Sequence, residues 1–509
     1  MATPIIIMRS LRKPLKSTKE GENMMNSKKI YGLLAAWIVC LGWALTACSE
    51  QPTHAQEQSD YPAIFPDYVG VTIPCNIAPL NFRLDFPAER CLVRIGERTY
   101  SGKQSIRFDE KEWRQLLEAN KGKTIEVELY TKQAGVWSRW KNFPIYVSDR
   151  AIDSHLVYRL IEPGYEKWHI VGIYQRNLTN FEETPIIRND MTGYNCMNCH
   201  TFCMGDPGQM LFHMRAANGA TYLLQNGKLQ KLNTKTNETI SNLTYPAWHP
   251  SGRYLTTSVN TIRQFFHSVK EKKMEVFDSE SDVVVYDIQQ QAILSAASII
   301  TKEHFETFPA FSPDGKWLYF CSAPAKKMPE EYDQVRYNLC RVAFDAERGA
   351  IELPVDTLVR ADSMSCTFPR ISPDGRFLLY TETAYGQFPI WHSDAEQRML
   401  RLSDRQPIDM RAMNSEDTDS YHSWSSGSDW VVFSSRRDNG LYTLPYLCGI
   451  DAEGNPAKPF LLPQADPEKY DYQLYSYNIP ELVKGEVTIS PYEIQQVALN
   501  EQPKQVKFK

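Results

Sequence analysis

The sequence predicts a mainly β protein, a small two-sheet module followed by an array of stacked sheets. Two observations predict this. Short apolar runs punctuated by Pro and Gly extend from residue 61 to about 148, and one turn pattern recurs four times from residue 247 onward. Composition agrees: 509 residues at 42% hydrophobic and 23% charged describe a globular chain. The length suits two to four domains, or one repeat array with an added module. A net charge of −5 gives no basic footprint, so no nucleic-acid partner is expected.

Residues 1–47 read as an address. Lys28 and Lys29 precede an uncharged run over 30–45, followed by Thr46-Ala47-Cys48. A basic start, an apolar stretch of 16 residues and small residues before the cut describe an export signal, and the run falls short of the ~20 residues that span a bilayer. Met24 or Met25 makes a more ordinary start than Met1. The ending resembles the bacterial lipobox. That resemblance implies that Cys48 is lipidated and that the protein is held by its lipid in the cell envelope, at the outer membrane of a Gram-negative bacterium. Without residues 1–47 the chain keeps 49 basic and 59 acidic side chains, a net −10, so charge does not hold it to an anionic surface. Residues 48–60 read as a tether. In an oxidising compartment Cys75, Cys91, Cys321, Cys340, Cys366 and Cys448 are open to disulfide pairing, or are buried thiols packing as small hydrophobes.

From 61 to 150 the runs at 69–73, 82–86, 92–95, 124–130 and 144–147 predict a small immunoglobulin-like sandwich. One helix interrupts it. Asp109 as N-cap, Glu112 three residues on, the apolar stripe Trp113, Leu116 and Leu117, and Gly122 as terminator mark its length. Residues 155–161 and 168–176 look like a hairpin inside a connector over 151–209.

Beyond lies the array. Ala247-Trp-His-Pro-Ser-Gly, Ala310-Phe-Ser-Pro-Asp-Gly, Arg370-Ile-Ser-Pro-Asp-Gly and Ser423-Trp-Ser-Ser-Gly-Ser start 63, 60 and 53 residues apart. Pro presets φ in the turn, Asp bonds back to the backbone, and Gly takes the positive-φ position. Apolar strands follow each turn, and a second apolar run closing on Asp287, Asp345, Asp394 or Asp451 recurs downstream. This paired pattern resembles the TolB-type, WD40-like β-propeller repeat. The resemblance implies a six- or seven-bladed propeller over 210–500, with 501–509 as a tail. No Gly-x-Ser-x-Gly is present, so the serine-hydrolase chemistry that sometimes accompanies such propellers is not expected.

One constellation carries chemistry. Cys196-Met-Asn-Cys199-His200 has the Cys-x-x-Cys-His spacing by which two thiols on one turn reach the vinyl groups of a haem and the adjacent imidazole reaches its iron. It resembles a monohaem cytochrome c site. The resemblance implies one covalent haem c, with thioethers at Cys196 and Cys199 and His200 as proximal ligand. Met204, Met210, His213 and Met214 follow closely and His249 is more distant; Met210 and His213 are the weak candidates for the sixth ligand. Rival readings are a Cys196–Cys199 disulfide and a zinc site that adds Cys203, cramped for a tetrahedral ion.

The expected function is a cell-envelope lipoprotein with one covalent haem, in electron transfer or redox sensing, the propeller serving as a docking platform for envelope partners. The alternative is a non-haem propeller scaffold for protein–protein contacts. Both readings make the protein an electron carrier or an interaction protein, enzyme activity is left open, and no catalytic residue is assigned.

Overall fold

The computed structural model describes residues 52, 54–162, 169–267, 274–294, 296–297 and 299–509. The export segment and Cys48 lie outside the described residues. Residues 55–509 form one compact unit.

The N-terminal module has two sheets. In the larger, Gln56–Glu57, Val136–Arg139, Thr124–Gln133, Phe143–Val147 and Thr72–Ile73 lie side by side, with Arg90–Ile95 pairing off the long central strand and Arg98–Gly102 pairing with Arg90–Ile95. In the smaller, Phe82–Leu84 lies between Ile64–Phe65 and Ser105–Ile106. The tether's last residues are thus a strand, Gln56–Glu57 pairing in parallel with Val136–Arg139. The expected helix is Glu110–Ala119. The Asp109 carboxylate accepts the Glu112 N–H at 2.9 Å, and Trp113, Leu116 and Leu117 are buried. The module's apolar core runs on into the last blade through Trp430, Leu447 and Phe460.

Six sheets share one plan of four antiparallel strands, two of them widened by a fifth, so among the described residues the propeller has six blades. The first strands of blades 2 to 6 are Met197–Phe202, Leu243–Trp248, His304–Phe311, Ser365–Ile371 and Asp419–Trp424. Blade 1 combines His155–Ile161, Gly172–Asn177 and Glu183–Arg188 with Ser476–Val483, which returns from the far end of the chain to pair with His155–Ile161. Each first strand touches the next, and Ser476–Val483 touches those of blades 2 and 6, so the ring closes.

Three expectations are corrected here. Residues 151–209 are not a connector: they hold three strands of blade 1 and the first of blade 2. Residues 501–509 are not a free tail, since Lys504–Gln505 and Lys507–Phe508 add parallel edge strands to blades 2 and 3. The run closing on Asp394 is not a strand. Pro389 opens a 3₁₀ turn over Pro389–Trp391, and the third strand of that blade is Glu396–Arg401. The aberrant fourth turn keeps its shape: Ser428 takes φ 65° where Gly252, Gly315 and Gly375 take 69°, 73° and 75°. The nine described cysteines are free thiols.

Blades 3 and 4 bury carboxyl groups. Glu306 is 2% exposed, with Oε2 unpartnered, and burial next to Asp282 pushes its pKa up to about 8. Asp278, 1% exposed, is pushed up to about 7 by burial, although Asn260 donates to it at 2.6 Å. Both acids hold their proton more tightly folded than unfolded, so between about pH 4.5 and 8 the native state binds more protons and stability falls as pH rises. Glu306→Gln is expected to remove ~1–3 kcal/mol of that loss, read as a flatter unfolding free energy against pH in urea titrations. An unchanged slope would mean that Glu306 is ionised in the fold.

Candidate functional site on the propeller axis

The six inner strands carry the same irregularity. In each, the pairing with its neighbour slips by a residue after Asn198, Thr244, Thr307, Thr367, Ser420 or Asn478. The next residue then takes a left-handed backbone: Cys199 (φ 54°), Tyr245 (47°), Phe308 (47°), Phe368 (54°), Tyr421 (48°) and Ile479 (52°). A left-handed non-glycine residue costs roughly 1–2 kcal/mol, so six in register mark a constraint the ring imposes. The bulge turns these side chains to the axis. Tyr245, Phe308, Phe368 and Tyr421 stack around it with centroids 4.1, 4.4 and 4.7 Å apart in succession.

This plug floors a cavity of about 220 Å³ that opens at the C-terminal ends of the inner strands. Two residues beyond the bulge, the strands present Glu481, Thr201, Ala247, Ala310, Arg370 and Ser423 to it in ring order. Four are small; the charged pair is Arg370 and Glu481. The Glu481 carboxylate accepts the Phe202 N–H at 2.9 Å and lies 3.4 Å from Thr201 Oγ1, and burial pushes its pKa up to about 7. Burial also lowers the Arg370 pKa, opposed by Glu481. Lys484 and Met204 stand at the mouth.

The Cys-x-x-Cys-His motif lies on an inner strand, not on a helical turn. Cys199 and His200 both reach the cavity wall, and burial raises the Cys199 thiol. His200 is 2% exposed, with the Val157 and Ile479 carbonyls near its ring but outside good hydrogen-bond geometry, and burial with the nearby Arg159 charge pushes its pKa down to about 3. Cys196, half-buried, lies one turn of pleat earlier and is not part of the wall; its carbonyl accepts the Arg215 N–H at 2.9 Å. Two free thiols and a neutral, unengaged imidazole fit the donor chemistry of a c-type haem.

The sixth-ligand candidates do not join them. Met210 is packed among Phe202, Leu224 and Ile186 in the core between blades 1 and 2. His213 faces a separate cleft with Arg215, Thr244 and Asn260, its Nδ1 2.9 Å from Thr221 Oγ1. Both sit on the second strand of blade 2, one strand removed from the axis. Of the five residues weighed for that place, Met204 alone lines the cavity. Cys203 is directed to the His249 carbonyl at 3.7 Å, and among the described residues no three Cys, His, Asp or Glu side chains gather around a metal position.

Sequence reasoning missed Arg370, Glu481 and the aromatic plug. A signal for the plug was present: Tyr245-Pro, Phe308-Pro and Phe368-Pro each stand at the same distance before the turn motif, and Tyr421-His422 and Cys199-His200 share their register.

No protein-family model matches the sequence, and no curated protein matches it. Solved structures give distant likenesses. A chimera of apocarotenoid oxygenase and RPE65 is similar at 13% identity and TM-score 0.38, over 83% of this chain and 97% of that one. The tricorn protease is similar at 13% identity and TM-score 0.33, over 74% of this chain and 35% of that one. Puromycin hydrolase is similar at 11% identity and TM-score 0.34, over 60% of this chain, which spans only 45% of the hydrolase.

Proposed function

We propose that this protein is an exported, lipid-anchored propeller carrying one covalent c-type haem through Cys196 and Cys199, with His200 as the proximal ligand, and that it works in electron transfer or redox sensing among envelope partners. The observation that carries this reading is the state of the motif: Cys196 and Cys199 are free thiols, and Cys199 and the buried, neutral His200 imidazole line a cavity. Bound there, haem supplies one-electron redox chemistry. The chain's own residues contribute an apolar floor that limits water and a rim with two cations, Arg370 and Lys484. Mature protein exported from a host with cytochrome c maturation is expected to give a c-type pyridine haemochrome and a haem-stained band on a denaturing gel, both lost in Cys196→Ala/Cys199→Ala. No haem, beside a positive control cytochrome from the same cells, ends this reading.

A second reading has its own observation. Cys199 stands where five other blades carry Tyr245, Phe308, Phe368, Tyr421 and Ile479, and His200 stands where blade 6 carries His422. Repeat geometry alone accounts for these two positions, which favours a non-haem scaffold. It does not account for Cys196.

A further inference from the structure

Arg370 is the one cation among the six side chains that the inner strands present two residues beyond the bulge. Its guanidinium gives one N–H to its neighbour, the Pro369 carbonyl, at 2.9 Å. It forms no ion pair with any described carboxylate, whereas Arg253, Arg341, Arg398 and Arg437 on the outer parts of the same blades are each paired. Glu481, the other charge on the ring, acts on Arg370 through space but lies beyond ion-pair distance, so the partly exposed guanidinium keeps N–H groups to offer an anion in the cavity.

The remaining surfaces define that anion. The floor is aromatic, the side walls include Phe311, Trp248 and Trp424, and the four small residues leave the space open. A volume of about 220 Å³ is below the ~300 Å³ at which sites for drug-sized ligands begin. The occupant is therefore small. Arg370 is the single cation of the inner ring, so it matches an occupant with one negative group. We propose that the axial cavity binds a small organic monocarboxylate, its carboxylate on the Arg370 guanidinium and its flat apolar body over the Tyr245–Phe308–Phe368–Tyr421 floor. Arg suits this because its planar fork pairs with both carboxylate oxygens.

The proposal stands apart from haem, and its test keeps the two separate. Benzoate and its neutral isostere benzamide are titrated calorimetrically into the full mature chain and into Cys196→Ala/Cys199→Ala, which cannot hold a covalent haem. Benzoate is expected to bind the double variant about tenfold tighter than benzamide. Added in that background, Arg370→Gln is expected to erase the difference and Arg370→Lys to restore part of it. Ala310→Leu, which fills the cavity and keeps the charge, is expected to weaken both probes together. Equal affinity for the two probes, or benzoate affinity within twofold after Arg370→Gln, overturns the proposal. The comparison of the two probes needs no change at Arg370, so it still decides if that substitution prevents folding. Benzoate binding to the double variant but not to haem-loaded protein also supports the proposal, the two ligands then excluding each other.

Discussion

A chain ending at residue 475 is expected to lose its cooperative unfolding transition altogether. Ser476–Val483 is the inner strand of blade 1, and without it that blade keeps three strands and an open inner edge. The strand also completes the axis, supplying Ile479 to the plug and Glu481 to the cavity. Tyr477, fully buried, packs edge-to-face on Tyr158 at 4.8 Å, and its carbonyl accepts from Ser434 Oγ and Thr443 Oγ1 of blade 6 at 2.9 Å each. Further on, the helix Pro491–Asn500 buries Ile494 and Ala498, and Lys231 of blade 2 donates to the Ala498 carbonyl at 2.7 Å. Folded domains are stable by only ~5–15 kcal/mol, less than these contacts together represent. Ending the chain at 503 instead removes the two edge strands and the buried Val506 side chain and is expected to cost ~2–4 kcal/mol with the transition intact. Urea titrations followed by near-ultraviolet circular dichroism distinguish these outcomes. A sharp transition in the chain ending at 475 would show that the ring does not depend on this closure.

That closure explains what the sequence could not disclose. Blades 3 to 6 are legible because their turns must place Gly252, Gly315, Gly375 or its substitute Ser428 at positive φ, and a turn of that kind is written within six residues. Blade 1 is written in two places, 155–188 and 476–483, and no local pattern links strands so far apart. Its outer strands were read as a connector for that reason. The helix at Glu110–Ala119 was legible because its cap is local. Cys199-His200 was read for its chemistry and was illegible as architecture, since replacing the Tyr-Pro of blade 3 by Cys-His hides the shared register. Arg370 and Glu481 carry no local signature; only closing the ring brings blades 1 and 5 to one cavity.

The shared register also supplies a control inside the molecule. His422 occupies in blade 6 the place of His200 in blade 2. It is 4% exposed, neutral with its pKa pushed down to about 3 by burial and the Arg370 charge, and its Nε2 sits 3.1 Å from the Leu379 carbonyl of blade 5. His200 lies against blade 1 in the matching way, with the Val157 and Ile479 carbonyls close enough to act on its charge. As wedges between blades the two are equivalent, and His422→Ala is expected to cost ~2–4 kcal/mol from the void and the lost hydrogen bond. His200→Ala is expected to cost less, because its nitrogens have no partner to lose. A haem ligand departs from that ordering. If haem is held there, His200→Ala would shift its Soret band, while His422→Ala would leave the spectrum as it was. Matched spectra in both variants, with His200→Ala the milder in urea, would assign His200 to the blade interface alone and leave Cys196 as the residue of the motif still to be explained.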